Sequence, residues 1–526
     1  MDRQRAAREP MAKRTWNEDT AKSRIASRLK EVTNVVIKDY VRDTDLTGIG
    51  TGVAYRVDGV HLYIDIINIK ELLETTTADG ERAHKRALRF LNNHYRAVRN
   101  ILLSVDAIQV DFHNQRLHAV FAKPYDDEAA RIHKAVATAQ LVRDVLVKIG
   151  ENEEDPLPAA KTRVGIDTGK ALAVNNGRRS SREPLFLGNP ANQAAKRAGF
   201  DTEVEGIFIT NNARSAVGWD KVLNDSNTAL TDEQVSKSQE KAALDLTVDK
   251  VVKDWETDLQ NNPIGKFEFT RHTPPYRDLD LETLTPRNSR RQEGTSIYAD
   301  IDNFTRYVAE RIEDDEDAID VVKTLHVLRS ELDGVLYEDF AGKKVRFIGD
   351  CIHGILIEGT AATTDDAETA KNAMLCAAAM RSSFAVALRE LKAEGIDVGD
   401  LGLAIGLEHG FIAVTRLGMK SEMIRCCISR SVLASEAEQQ NCNGRQTSIG
   451  PKLDQHAPQQ LRNLFGSSRK RSDFDYAAAE DALNPKDDSK KSTNNSGSLL
   501  KPATAAASGF AFGAAAEPSR TLAGFS

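Results

Sequence analysis

The chain has 526 residues, more than one compact core accommodates, so its length predicts two or three domains. A hydrophobic fraction of 40%, a charged fraction of 28% and a net charge of −7 are typical of a globular protein and give no indication of a nucleic-acid groove. No apolar run approaches the roughly 18 residues that span a bilayer, and the five cysteines form neither a zinc spacing nor an even disulfide framework, so we expect a reducing cytoplasm.

Residues 1–45 are predicted to form a separate N-terminal segment. Its first 13 residues are basic and polar, which is typical of disorder. From residue 16 to about residue 41, apolar side chains recur at helical spacing: Ile25, Leu29, Val32 and Val36. We expect this amphipathic helix to pack against its own domain.

Residues 46–215 read as a first block that alternates strands and helices. The predicted order is a strand at 61–67, a helix at 82–103, a hairpin at 106–121, a helix at 127–148 and a strand at 162–167. A second block at 294–466 repeats it, with a strand at 297–301, a helix at 317–340, a hairpin around 349–350, a helix at 366–394 and a strand at 401–407. Elements that recur in the same order over more than 100 residues predict an internal duplication.

Two stretches lie outside this duplication. Residues 216–293 are rich in Lys, Asp and Glu and then in Pro, which predicts a solvated helical insertion followed by a linker. Residues 467–526 are polar and then rich in Ala, Gly and Ser, which predicts a largely disordered tail.

Two strands of the second block end in an acidic residue. The motif SIYADIDNFT at 296–305 is apolar up to Asp300, as in a buried strand that delivers a carboxylate. The motif KVRFIGDC at 344–351 predicts a hairpin with Asp350 at its tip. Two such carboxylates can converge on a hard cation such as Mg²⁺, although an Asp at a strand end is often only a turn residue.

Both motifs resemble the two metal-binding motifs of class III nucleotide cyclases. The resemblance implies an α/β fold of two tandem cyclase-like domains, each with a ferredoxin-like βαββαβ core, packed as a pseudo-heterodimer. It also implies that Asp300, Asp350 and the backbone carbonyl of Ile301 hold two Mg²⁺ or Mn²⁺ ions. In the family these ions activate a ribose 3′-hydroxyl, and the products are a 3′,5′-cyclic nucleotide and pyrophosphate.

The two blocks divide the family's functions between them. The first block keeps Asp65 at the position of Asp300, but Gln115 stands where the second block has Asp350. The first block therefore should not hold the metal pair, and Asp65 is interpreted as either a relic of the duplication or a structural residue.

The first block supplies the complementary motif. The sequence LGNPANQAAKR at 187–197 resembles the family helix whose Asn orients the ribose and whose Arg stabilises the transition state. Asn192 matches directly, and Lys196 with Arg197 beside it stands at the arginine position, which leaves open which cation acts. In the second block we align Val432 with Asn192, so that block has no Asn there. The alternative is that Asn192 only caps a helix.

The base-reading positions of the family correspond here to Asp111 and Leu185. An ionised Asp111 can accept a hydrogen bond from the imide N–H of uracil or guanine or from the cytosine amine, but it fits the N1 acceptor of adenine badly. Leu185 and Phe186 would narrow the pocket, which favours a pyrimidine, with UTP preferred and CTP possible. The alternative is that Asp111 has a local role in its hairpin.

For the triphosphate, the candidates are Lys170 and Lys266. Lys266 lies in IGKFEF at 264–269 and resembles a late phosphate-contacting lysine of the Asn-donating partner. Surface lysines are common, so each also fits an ordinary solvated position.

The tandem layout with a purine-unlike pocket resembles the pyrimidine cyclases of the bacterial antiphage system Pycsar. That resemblance implies a cyclic UMP or cyclic CMP messenger and a separate effector that responds to it. The alternatives are a guanylate or adenylate cyclase and a non-catalytic nucleotide-binding scaffold. Either a monomer or a dimer is compatible with the sequence, since the intrachain pair needs no partner.

Overall fold

A computed structural model describes residues 14–484 except 43, 75–79, 152–157, 176–183, 201–202 and 420–422. The predicted disorder of residues 1–13 and 485–526 therefore lies outside the described residues. Within the described part of the chain, no helix has both the length and the apolar character needed to cross a membrane.

The first half is built on one mixed sheet with helices. Its elements are α1 (Glu18–Glu31), β1 (Val36–Asp39), β2 (Val53–Ile66), α2 (Ile69–Glu74), α3 (Glu81–Ser104), β3 (Ile108–His113), β4 (Arg116–Phe121), α4 (Glu128–Glu151), β5 (Thr162–Val174), β6 (Leu185–Leu187), α5 (Asn189–Ala198), β7 (Gly206–Ile209) and α6 (Asn211–Ala216). The sheet has the order β3-β4-β2-β5-β6, and β1 and β7 pair in parallel with β2 and β5.

The insertion follows, with α7 (Asp232–Ala242), α8 (Val248–Asn261) and the short strand β8 (Phe269–Thr270). One face of it is solvated, as expected, but the other face belongs to the core of the first half. Val251 and Trp255 of α8 are buried in that core, and the Arg96 guanidinium of α3 donates to the Asp258 carboxylate at 2.8 Å. The insertion is therefore an outer layer of the first half.

The second half repeats the architecture. Its elements are β9 (Ser289–Asp302), α9 (Phe304–Ala309), α10 (Asp315–Gly334), β10 (Lys343–Ile348), β11 (Cys351–Leu356), α11 (Asp366–Ala393), β12 (Gly402–Leu417), β13 (Ile424–Ile428), α12 (Arg430–Gln440), β14 (Gln446–Ile449), α13 (Pro451–His456), α14 (Gln459–Phe465), β15 (Lys470–Ser472) and α15 (Tyr476–Leu483). The sheet order β10-β11-β9-β12-β14-β15 contains the same βαββαβ arrangement as β3-β4-β2-β5. The α/β class and the tandem ferredoxin-like cores are confirmed.

The duplication is visible at the level of side chains. Tyr63 on β2 stacks on His118 of β4 with ring centroids 4.0 Å apart. Tyr298 on β9 stacks on His353 of β11 in the same way, at 4.3 Å. These rings lie on the faces of the two sheets that meet between the halves. The first half contributes the surface of β2 and β4, and the second half contributes the surface of β9 and β11.

The N-terminal prediction is wrong in its extent. The helix α1 ends at Glu31, and Val36 lies in β1 instead, because the β-branched run around it favours a strand. The helix packs on α10 and α11 of the second half, where Arg24 pairs with Glu331 at 2.8 Å and with Asp339 at 2.9 Å. The segment thus joins the two halves, since β1 pairs with β2 of the first.

Two boundaries also differ from the prediction. The strand β9 begins at Ser289 rather than at residue 294, so the end of the predicted linker is part of the second sheet. Residues 467–484 include β15 and α15 instead of a disordered tail. Phe474 and Tyr476 are buried there, and the Tyr476 ring meets Trp16 edge-on at 5.6 Å. Two aromatic side chains are enough to hold this short polar segment on the core.

Gly165 on β5 lets α5 approach the sheet closely. A Cβ atom at this position would lie 2.0 Å from the Ala194 backbone oxygen and 2.6 Å from the Ala198 backbone nitrogen. We therefore expect Gly165→Ala to displace α5 and to lower stability by about 3 kcal/mol.

Thermal unfolding of the full chain measures this loss. Gly50→Ala is the matched control, because no heavy atom lies within 4 Å of a Cβ atom added there. A Gly165→Ala chain as stable as the Gly50→Ala chain would contradict the close approach of α5.

Candidate active site

The two predicted metal carboxylates lie at the same end of neighbouring strands in the second sheet. Asp300 lies near the end of β9 and Asp350 in the turn between β10 and β11. Ala299 pairs with Ile352 in the antiparallel ladder, which puts Asp300 beside Cys351 on a strand roughly 4.8 Å away. Burial, and then the nearby carboxylates of Asp300 and Asp350, raise the pKa of the Cys351 thiol. The structure therefore brings both carboxylates around one cysteine.

Asn192 lies inside α5, whose N-cap is Gly188, so the capping interpretation does not hold. Its side chain is 1% exposed, and among the described residues neither the carboxamide oxygen nor the nitrogen has a hydrogen-bond partner. A buried amide without partners costs about 1–3 kcal/mol. Such a group is typical of a position that awaits a ligand.

The two candidate cations point in different directions. Lys196 follows Asn192 by one helical turn and shares its face of α5. Burial, and then the neighbouring Arg197, lower the pKa of the Lys196 ammonium. Arg197 instead pairs with Asp225 at 2.7 Å. The geometry thus favours Lys196 as the cation that accompanies Asn192.

The helix α5 faces the second half of the chain. It packs against α9, which directly follows the turn after Asp300. Its alanines share a buried cluster with Tyr298 and Cys351. We call Asp300, Asp350, Asn192 and Lys196 the composite site, since two halves of one chain contribute to it.

Asp111 is engaged by a residue that the motif comparison did not single out. Its carboxylate pairs with Arg346 of β10 at 3.1 Å, and the two side chains are 6% and 3% exposed. Arg346 also donates to the backbone oxygen of Phe112. In the repeat, Arg346 occupies the position of Asp111, so the equivalent residues of the two halves pair with each other. The alignment of the halves contained this signal, but their contact could not be read from it.

Leu185 and Phe186 point to opposite faces of β6, as neighbours on a strand do. Leu185 is buried in the cluster that contains Ile301 and Phe304 of the second half. The Phe186 ring meets His118 edge-on at 6.2 Å. Since His118 is the cross-strand partner of Asp111, Phe186 lies on the same face of the sheet as the acid, and Leu185 lies on the opposite face.

The structure does not bring the two predicted phosphate lysines to the composite site. Lys170 is exposed on β5 opposite Asp58, and it points away from α5 because the preceding Gly169 packs on Pro190. Lys266 is exposed just before β8, which pairs with β9 at Ser289. That end of β9 is roughly 35 Å from Asp300 along an extended strand.

The position in the first half that is equivalent to the metal carboxylates of the second half has a different chemistry. Arg116 donates to Asp65 at 3.2 Å and to Glu436 of α12 at 2.6 Å, and all three side chains are less than 10% exposed. We call these three residues the pseudo-symmetric site. Arg116 stands where the second half has Cys351, so a built-in cation occupies the place beside the acid. Burial raises the pKa of Asp65 despite this cation.

The alignment of the second helix needs a correction of one residue. Ser435 and Gln439 approach Gly406 just as Ala194 and Ala198 approach Gly165. This register makes Leu433, not Val432, the equivalent of Asn192. The conclusion that the second half has no Asn there is unchanged.

The chain is similar to a known protein family and to several known proteins. The family model for the adenylate and guanylate cyclase catalytic domain matches residues 287–451. A Pseudomonas aeruginosa protein called uridylate cyclase is 52% identical over 474 residues, which cover 89% of this chain and 91% of that protein. A Rhizobium protein of the same name is 38% identical, with 78% of this chain and 81% of the relative covered.

A solved structure is similar over nearly the whole chain. It is described as a class III adenylyl cyclase-like ATP-binding protein from Pseudomonas aeruginosa and is 52% identical to this chain. The TM-score is 0.87, with 89% of this chain and 99% of that chain covered.

The pseudo-symmetric site gives a stability prediction. Arg116→Ala leaves two buried carboxylates without their cation, which should cost about 3–5 kcal/mol at pH 8. A carboxyl group whose pKa is raised by folding favours the native state when it is protonated, so the deficit relative to wild type should shrink as the pH falls to about 5.5.

Unfolding of both proteins at the two pH values measures the difference. The triple variant Arg116→Met/Asp65→Asn/Glu436→Gln should recover most of the stability, because it removes the buried charges together. An equal deficit at both pH values would mean that Arg116 acts by packing alone.

Proposed function

This chain belongs to the class III nucleotide cyclase family, in the group of the uridylate cyclases that it matches over most of its length, and we propose that it converts UTP to cyclic UMP and pyrophosphate. The observation that carries the proposal is the buried carboxamide of Asn192, which has no partner among the described residues. It lies on α5, which packs against α9 just after the metal strand. A non-catalytic scaffold has no need to keep this group unsatisfied.

The metal part of the proposal rests on the donor set. Asp300 and Asp350 are carboxylates around Cys351, and the backbone carbonyl of Ile301 follows Asp300, which together suit Mg²⁺ or Mn²⁺. Two bound ions would neutralise the triphosphate and polarise the reacting oxygens. The pseudo-symmetric site fits no ion, because Arg116 already supplies the positive charge there.

The other half would position the reacting groups. The carboxamide of Asn192 can donate to and accept from the ribose, which holds the sugar ring for in-line attack. Lys196, on the same face of α5, would stabilise negative charge on the α-phosphate as the bond to pyrophosphate breaks. Burial, and then the cation of Arg197, lower the pKa of Lys196, so a phosphate bound beside it would favour its charged form.

The base would be read by the pair of Asp111 and Arg346. An ionised carboxylate accepts, and a guanidinium donates, so the pair offers the complement of an imide, which has an N–H flanked by carbonyl oxygens. Uracil carries that group. The similar solved structure is described as an ATP-binding protein, so adenine is the second candidate base. Its amine would donate to Asp111, and its N1 would accept from Arg346.

The setting of the reaction is also part of the proposal. The five cysteines are free and buried thiols, which is compatible with a reducing cytoplasm. We place the chain upstream of a separate effector that binds the cyclic nucleotide, as in antiphage defence. The composite site lies within one chain, so a monomer is sufficient for activity.

The two structurally equivalent acids provide a sharp test of the active half. Asp300→Asn should lower the rate of cyclic nucleotide formation by at least about 1,000-fold, since a metal carboxylate is lost. Asp65→Asn should leave the rate within about 3-fold of wild type, because it alters the pseudo-symmetric site. The measurement is product formation from each of the four nucleoside triphosphates with Mn²⁺.

Circular dichroism of both variants checks that they fold. Equal losses in the two variants would contradict the division of labour between the halves. Cyclic AMP as the main wild-type product would keep the cyclase mechanism and reject UTP as the substrate.

A second variant tests the reading of the base. Asp111→Asn gives the position a donor, which suits the N3 acceptor of cytosine. We expect the ratio of kcat/KM for UTP to that for CTP to fall by about 10–100-fold. The ratio within one variant is its own control, because a general loss of stability lowers both values together. An unchanged ratio would remove Asp111 from the pocket.

A further inference from the structure

Three side chains that commonly bind transition metals converge in the second half, away from the composite site. Asp366 is the first residue of α11, His409 lies in the middle of β12, and His456 is the last residue of α13. One carboxylate oxygen and one ring nitrogen of each histidine all lie within 4.8 Å of one another. No short sequence motif links these residues, so the sequence analysis did not find them.

The spacing suits a small tetrahedral ion. His409 Nε2 is 3.2 Å from Asp366 Oδ1, and the His409 and His456 rings have centroids 4.8 Å apart. Two ligands at 2.0–2.1 Å from a tetrahedral Zn²⁺ are about 3.3 Å apart. His409 is 2% exposed, whereas the other two groups are partly exposed, which leaves one side of the cluster open.

A second contact orients the central histidine. His409 Nδ1 lies 3.1 Å from the hydroxyl oxygen of Thr295 on β9. When this hydroxyl accepts from Nδ1–H, the lone pair of Nε2 faces the cluster. Metal-binding histidines are held in this way by a partner on their other nitrogen.

A hydrogen bond between Asp366 and His409 would explain two of the three groups. That hydrogen bond does not explain why His456 approaches the pair from a different helix. Two neutral imidazoles and a carboxylate are the ligand set of a zinc ion with one open position, whereas Mg²⁺ prefers oxygen ligands.

We propose that Asp366, His409 and His456 form a Zn²⁺ site that is separate from the composite site. His409 pairs with Thr295 on β9, five residues before Asp300, which is roughly 17 Å along the strand. The ion joins α11 and α13 to the central strand β12. At that distance from Asp300 the ion takes no part in the cyclisation.

The test uses the full chain after chelation and dialysis, titrated with Zn²⁺ alone. Bound zinc is measured by elemental analysis, and the visible absorption of Co²⁺ reports tetrahedral coordination. The carrier is a chain with Asp300→Asn and Asp350→Asn, so that zinc at the composite site does not contribute. We expect one equivalent of zinc in this chain.

Ligand and control variants are made in the same carrier. His456→Gln should weaken zinc binding at least about 100-fold, and Thr295→Val should weaken it about 10–100-fold by releasing the His409 ring. His272→Gln, a partly buried histidine elsewhere, should have no effect. If His456→Gln does not fold, Asp366→Asn takes its place.

Two results would overturn the proposal. Zinc binding that is equal in the His456→Gln chain and its parent would exclude the cluster as the site. The absence of bound zinc in the carrier would reduce Asp366 and His409 to a hydrogen-bonded pair.

Discussion

The structure depends on burying acids between two sheets that face each other. Asp65 and Asp350 lie on this interface and are nearly inaccessible to water. A buried carboxylate requires a compensating positive charge or a proton. In the pseudo-symmetric site the chain itself supplies the positive charge, because the Arg116 guanidinium forms ion pairs with both Asp65 and Glu436. At the equivalent place in the composite site the chain has the thiol of Cys351 instead of an arginine.

At the positions of the composite site, the two halves differ in complementary ways. Gln115 replaces the second acid in the first half, and Leu433 replaces the Asn in the second. Each substitution removes one function from one side of the interface only. The pairing of Asp111 with Arg346 is of the same kind, since identical residues at these two positions would place like charges together. A symmetric ancestor could not have made this ion pair, so it fixes the relative orientation of two unequal halves.

The repeated βαββαβ order and the metal motifs were predictable from the sequence, because apolar periodicity and short motifs are local. The ends of helices and strands were less predictable. The apolar spacing predicted that the first helix continues through Val32 and Val36, whereas in the structure Val36 lies in β1. Contacts across the interface between the halves could not be predicted from the sequence, because they join residues far apart in the chain. The local sequence around Arg346 does not indicate its contact with Asp111, which depends on how the halves pack. Lys266 resembles a phosphate ligand in its motif, but the pairing of β8 puts it at the far end of β9.

Because one chain contributes both parts of the composite site, the polypeptide itself holds the two parts together. In a cyclase assembled from separate chains, the Asn-bearing helix must be held by association, which depends on concentration. Here α5 is tethered to the metal strand through the same polypeptide, and tethering sets a high effective concentration. The N-terminal segment adds a second link, because α1 is held by Glu331 and Asp339 of the second half while β1 pairs with the first. Closure of the interface is therefore a property of the fold, and control of the enzyme has to act on the geometry within the chain rather than on the encounter of its halves.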